Sequence, residues 1–273
     1  MNADTDYEVE YNNRARVPEN PVLMAGWARD AAAYREALAG RWRVIRYGPG
    51  ARNTIDFFPA DDTGPIVVFI HGGYWQALDS SSSSHLAAGL NAHGISVAIP
   101  SYDLCPGVAI ADIIGQMRAA SRELARLGRP LVMSGHSAGG HLAACMLATD
   151  WRALDVALPE PLVTAAYTIS GLFDLVPLVK TSINHALRLD ATAAREASPL
   201  FWTAPKRGRL DAVVGGNESA EYFRQSRSIV EAWSAAGVAT SFAAILGANH
   251  FTVVAPLADP HSPMTLRLKA LAR

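Results

Sequence analysis

LVMSGHSAGGHLAACML, residues 131–147, reads as strand, turn and helix in a single stretch. Leu131-Val132-Met133 is a short apolar run of the kind that forms a buried strand. Gly135-His136-Ser137-Ala138-Gly139 turns the chain, and Gly140-His141-Leu142-Ala143-Ala144 begins a helix. A serine at the tip of such a turn must take a strained backbone conformation. Side chains two residues to either side would collide, so those positions are glycine. The helix N-terminus then points free N–H groups at any oxyanion that forms beside the serine. By itself G-x-S-x-G is a weak signal, since it arises by chance in roughly one chain in ten of this length. The elements on either side of it give it weight.

Working outward, apolar strand runs alternate with helical patterns. Upstream lie Pro65–Ile70, Ile95–Pro100 and a helix over Ala109–Leu127 that stops at Gly128. Downstream, Thr149–Pro161 reads as loop, Leu162–Ile169 and Arg209–Val214 as strands, Ser219–Ala236 as a helix and Thr240–Ile245 as a strand, with a helical segment over Pro263–Arg273. This order predicts an α/β fold, a mainly parallel central sheet with helices on both faces. Arg41–Tyr47 and Asn53–Phe58, joined by Gly48-Pro49-Gly50, predict an antiparallel hairpin at one edge. Residues 1–21 are polar and predict an extended arm, followed by a helix over Val22–Leu38. The run Ser80–Ser84 reads as a loop and helix start before a helical His85–Asn91. Ser170–Pro205, with three prolines and short helical pieces, predicts a small helical insertion that partly caps an active site. No repeat or linker divides the chain, so residues 1–273 are expected to form one domain.

Composition narrows the function. The chain has 273 residues, half of them hydrophobic, with 18 % charged and a net charge of −1. Neither nucleic acid nor a membrane is an expected partner, because there is no basic surplus and no run of about 18 apolar residues. Two distant cysteines, Cys105 and Cys145, fit a reducing cytoplasm, and no metal-ligand spacing is present, so no metal or cofactor is expected. The N-terminus is acidic and lacks the apolar core of a secretory signal. The expected partner is a small-molecule substrate, with a homodimer as an assembly open to the chain.

A serine hydroxyl needs a base. In this fold the base belongs in the loop after the last strand, which is where His250 stands. The acid that orients it belongs after the preceding strand. Glu218, just past Gly215-Gly216, has that place; Asp211 lies inside the strand and Glu221 inside the helix. The order Ser137, Glu218, His250 then matches a Ser…Asp/Glu…His triad. His71-Gly72-Gly73 follows a central strand, where a second oxyanion donor is needed, so the candidate donors are the N–H groups of Gly72 or Gly73 with Ala138.

The motifs HGGYW at 71–75, YDLCP at 102–106, GHSAGGHL at 135–142 and SGLFD at 170–174 resemble the arylformamidases (kynurenine formamidases) and their bacterial esterase-like relatives. The resemblance runs from about Tyr11 to Phe251. It implies an α/β-hydrolase that removes a formyl group from an aryl amide, as in N-formylkynurenine to kynurenine and formate. It carries the triad over to Ser137, Glu218 and His250, with Glu where the family usually has Asp. On the amine side Tyr74, Trp75, Phe173, Trp202 and Phe251 are the aromatics that could line the site, and Tyr74, Trp75 and Phe251 are the candidate substrate-binding residues. A carboxylesterase acting on short acyl esters would use the same groups. Tyr74, where esterases of the hormone-sensitive-lipase type usually have a third glycine, favours the formamidase branch. A non-catalytic binding protein on this fold would have lost the serine or the histidine, and both are present.

Overall fold

The computed structural model describes residues 5–61 and 63–273. Eight strands form one sheet: β1 (Arg43–Arg46), β2 (Thr54–Phe58), β3 (Ile66–Ile70), β4 (Val97–Pro100), β5 (Leu131–His136), β6 (Val163–Ile169), β7 (Arg209–Gly215) and β8 (Ala239–Ile245). Their order is β1-β2-β4-β3-β5-β6-β7-β8, antiparallel between β1, β2 and β4 and parallel from β4 to β8. Eleven α-helices are described: α1 (Tyr7–Tyr11), α2 (Asn13–Arg16), α3 (Asn20–Ala37), α4 (Ala88–Asn91), α5 (Ile110–Ala125), α6 (Ala138–Leu147), α7 (Trp151–Leu154), α8 (Asn184–Leu187), α9 (Ala191–Glu196), α10 (Ala220–Ala235) and α11 (Pro263–Leu271).

The apolar runs are explained by burial on two faces. In β3, Ile66, Val68 and Ile70 pack into one core cluster while Val67 and Phe69 pack into the other. Successive strand residues face opposite sides, so a strand covered on both sides must be apolar throughout. β5 divides in the same way, with Leu131 and Met133 on one face and Val132 on the other. Helices α5, α6 and α10 bury their apolar stripes in the first cluster, while Trp27 and Tyr34 of α3 and Met264 and Leu268 of α11 pack against the second. No helix among the described residues is long and apolar enough to cross a membrane.

The arm departs from the extended reading. Residues 1–4 lie outside the described residues, but from Tyr7 the chain forms α1 and α2 before α3 begins. Asp6 accepts the Val9 N–H at 3.2 Å and Asn12 the Ala15 N–H at 3.1 Å, so two residues that look merely polar are helix caps. Tyr11, Asn13 and Val17 are buried and anchor the segment. Within Thr149–Pro161 the short helix α7 replaces the expected loop, capped by Asp150 through the Ala153 N–H at 3.0 Å. The segment after the serine run starts as a 3-10 turn over Ser84–Ala87 and becomes α4.

Candidate active site

The turn between β5 and α6 places Ser137 at φ 56° and ψ −118°. Backbone packed on backbone holds it there. A side chain on Gly135 would overlap the Gly139 carbonyl, and one on Gly139 would overlap the Ile70 carbonyl at the end of β3. The Ser137 N–H donates to Ile169 O of β6 at 2.8 Å. Ser137 lines a cavity of about 470 Å³ together with Gly73, Tyr74, His136, His250 and Phe251.

His250 follows β8, in a turn shaped by Asn249, whose side-chain oxygen accepts the N–H groups of Phe251 at 2.9 Å and Thr252 at 3.0 Å. Glu218 follows β7, and the Asn217 N–H donates to Ala248 O at 2.9 Å, tying the two loops together. His250 Nδ1 and Glu218 Oε2 are 2.6 Å apart. A carboxylate only accepts, so Nδ1 carries the proton and Nε2 is left as a base. The other carboxylate oxygen, Oε1, accepts the Gly215 N–H at 2.7 Å and the Ser170 hydroxyl. Glu218 is therefore buried with both oxygens engaged. Asp211 faces elsewhere, between Arg209 at 3.0 Å and Arg267 at 2.5 Å. Burial raises its pKa, but its hydrogen bonds to Arg267, Ser241 and Arg209 outweigh that and leave it below the ordinary carboxylate range. Glu221, in the first turn of α10, accepts from Tyr11 and Arg224.

Two rings flank His250. His136 lies at 4.5 Å between centroids and Tyr222 at 4.6 Å. Burial, with His250 next to it, holds the His136 pKa well below the usual value, so it stays neutral beside any charge on His250. Tyr222 belongs to a buried hydroxyl cluster. Asn13 Nδ2 donates to Tyr222 Oη at 2.7 Å and to Tyr74 Oη at 3.2 Å, and Tyr74 donates to the Tyr11 carbonyl at 2.6 Å. The two phenols are 2.7 Å apart, and because Tyr74 spends its proton on a carbonyl, Tyr222 donates to Tyr74. Burial raises the pKa of Tyr222, which keeps its proton. Among the described residues no hydrogen bond joins Ser137 to His250, whose Nδ1 is engaged by Glu218. Such bonds are often loose in a free enzyme.

Of the three oxyanion candidates, Gly73 lines the cavity, turning with φ +100° where a side chain would overlap Ala77 O. Gly72 packs behind it; a Cβ there would sit 3.2 Å from Ser137 Cβ and 2.9 Å from His136 O. Ala138 is buried as the first residue of α6, so its N–H has no partner within that helix. Among the aromatic candidates, Tyr74 and Phe251 line the cavity. Trp75 does not: it is fully buried, edge-on to His141 at 5.1 Å. Phe173 is also core, and Trp202, outside the cavity lining, donates to Glu196 O at 2.7 Å.

Several wall residues were not singled out from sequence. Ser182 and Ile183 are the insertion's share of the lining, while Glu8, Tyr11, Asn12, Asn13, Arg14, Met24 and Trp27 come from the arm and α3. Met24 and Trp27 recur at helical spacing within the helix expected over Val22–Leu38, and the polar arm carried no signal for a place in the wall. No group of three or more His, Cys, Asp or Glu among the described residues is arranged to hold a metal ion.

Residues 67–253 match the family model of the α/β-hydrolase fold. The kynurenine formamidase of Danio rerio is 29 % identical over 242 residues, 84 % of this chain and 81 % of that protein. That of Drosophila melanogaster is also 29 % identical, over 82 % of this chain and 79 % of its own. Among solved structures, a candidate thioesterase from Silicibacter sp. is 36 % identical, with a TM-score of 0.86 over 96 % of this chain and 98 % of that one. With its mostly parallel sheet and its strained serine turn, the chain belongs to the α/β-hydrolase fold family and is an arylformamidase-like hydrolase within it.

Proposed function

We propose that Ser137, His250 and Glu218 act as nucleophile, base and orienting acid in removing the formyl group of an arylformamide such as N-formylkynurenine. The observation that carries this reading is the His250–Glu218 pair, 2.6 Å apart, opening onto the same cavity as the strained Ser137. Ser137 Oγ attacks the formyl carbon while His250 Nε2 takes the proton. Gly73 and Ala138 donate to the oxyanion. The C–N bond breaks, His250 returns the proton to the departing arylamine, and water attacks the formyl-enzyme to release formate and restore Ser137.

An anilide nitrogen shares its lone pair with the ring, so its amide bond is closer to an ester than a peptide's is. Trp27, Tyr74 and Phe251 offer flat apolar surface for the aryl group. The similarity to kynurenine formamidases over more than four-fifths of the chain supports this substrate class. The two buried, unpaired cysteines suit a reducing compartment such as the cytoplasm. A second reading, hydrolysis of short acyl esters or thioesters by the same groups, is favoured by the 36 % identical Silicibacter structure.

The test compares kcat/KM on N-formylkynurenine and on 4-nitrophenyl acetate, for the native chain and for Ser137→Ala. Deformylation is the expected preferred activity, falling by about 10⁴ or more in the variant. Ester cleavage without deformylation would select the second reading, and an active Ser137→Ala would remove the mechanism.

A further inference from the structure

The wall that the arm supplies carries charge. Arg14 is the only lysine or arginine lining the cavity, and Glu8 the only aspartate or glutamate, among the described residues. We propose that these two residues make the site selective for arylformamides bearing an α-amino-acid tail, with Arg14 taking the carboxylate and Glu8 the ammonium. The proposal rests on the arylformamidase reading and names the leaving amine more narrowly.

Arg14 is exposed, but it is launched from a fixed backbone. Its carbonyl accepts from Asn20 Nδ2 at 3.1 Å, and its neighbour Asn13 is buried and bonded to Tyr222. It forms no ion pair among the described residues, whereas Arg209, Arg224 and Arg267 each have a carboxylate. A guanidinium presents a planar fork of donors that matches a carboxylate.

Glu8 is held by Ser182, whose N–H and hydroxyl each donate to one carboxylate oxygen at 2.6 Å. Those bonds keep its carboxyl below the ordinary range, so it stays anionic. Each oxygen keeps acceptor capacity for a further donor. The rest of the wall sorts by chemistry. Met24, Trp27, Ile183 and Phe251 are apolar and suit the ring, while Asn12 and Gln76 are neutral donors and acceptors. A cavity serving only uncharged aryl formamides or esters would have no use for an unpaired cation on one wall. A zwitterionic tail uses both charges.

The experiment measures KM for N-formylkynurenine, which has the tail, and for formanilide, which lacks it, in the native chain, Arg14→Gln, Arg14→Lys and Glu8→Gln. Arg14→Gln should raise KM for N-formylkynurenine about fivefold more than KM for formanilide, as expected of one part-exposed ion pair. Arg14→Lys should recover part of the difference. Glu8→Gln should shift the same ratio, and added salt should raise KM only for the substrate with the tail. If both KM values move together in Arg14→Gln, the proposal fails while the arylformamidase reading stands. If the native chain cleaves neither formamide, that reading fails and takes the proposal with it.

Discussion

Ser137 holds a backbone conformation that costs about 1–3 kcal/mol and persists only because its surroundings over-determine it. The closeness of Gly135 to Gly139 and of Gly139 to Ile70 leaves no room for relaxation. This was legible in the residues themselves, because glycines spaced two to either side of a serine state that Cβ atoms do not fit. The meeting of Glu218 with His250 was legible from chain order, since strands that lie side by side bring their following loops together. Ser170 was not legible. It sits at φ 51° beyond β6 and donates to Glu218, but a serine after a strand has no pattern that marks it. At this scale the two acids separate sharply. Glu218→Gln removes the acceptor that fixes the His250 tautomer and should lower kcat by about 10³–10⁴. Asp211→Asn strips one charge from a pair of half-exposed arginines; it should cost about 1–2 kcal/mol of stability and leave kcat within a few-fold. Steady-state kinetics with a denaturant melt on each variant decide this, and the opposite pattern would move the acid to Asp211.

The N-terminal arm is the element that departs furthest from its local sequence pattern, folding into α1 and α2. It looked like solvated chain because it is polar, yet its polar groups are the ones that bind it down. Tyr11 donates to Glu221 at 2.7 Å, Gln225 donates to Tyr11 at 2.8 Å, and Glu10 accepts the Glu221 N–H at 3.0 Å. These partners lie about two hundred positions away, at the start of α10, so no local periodicity announces them. Helices α3 and α5 were legible from apolar residues recurring at helical spacing; a segment held by paired polar groups has no such repeat. Through Asn13 the arm also reaches the phenol packed on His250. Asn13→Ala removes the donor that Tyr222 and Tyr74 share and should lower kcat about tenfold with little change in KM. Tyr222→Phe, which keeps the ring packed on His250 but removes the hydroxyl, should do the same. Because both act through one hydrogen-bond cluster, the double variant should lose little more than either single one. Losses that multiply would mean that the arm and Tyr222 act separately.

At the scale of the whole molecule, alternating strand and helix patterns made the parallel sheet and its two covered faces legible. The placement of β3 between β4 and β5 was not written in any segment, because it depends on which way each connection crosses the sheet. Nor did the sequence reveal how completely the histidines near the site are buried. His71, stacked on Tyr102 at 4.2 Å, and His141, bonded through Nε2 to Ala197 O at 2.7 Å, are both fully buried, and burial depresses each to about 4. Unfolded, each would titrate near 6.5. Between those values the unfolded chain binds more protons than the folded one, so stability is complete above about pH 6.5 and falls as the pH drops toward 4. By pH 5 each histidine should have removed about 2 kcal/mol, and the pair about 4 kcal/mol, a large share of the roughly 5–15 kcal/mol that holds a domain together. His136, depressed for the same reason, acts in the same direction. For a chain of this size Tm should therefore be lower at pH 5 than at pH 7.5 by on the order of 10 °C. His141→Gln, which can still donate to Ala197 O but cannot be protonated, should recover about half of that loss. Calorimetry at the two pH values on both proteins measures it, and an equal Tm at pH 7.5 and pH 5 would show that these rings are not held neutral by the fold.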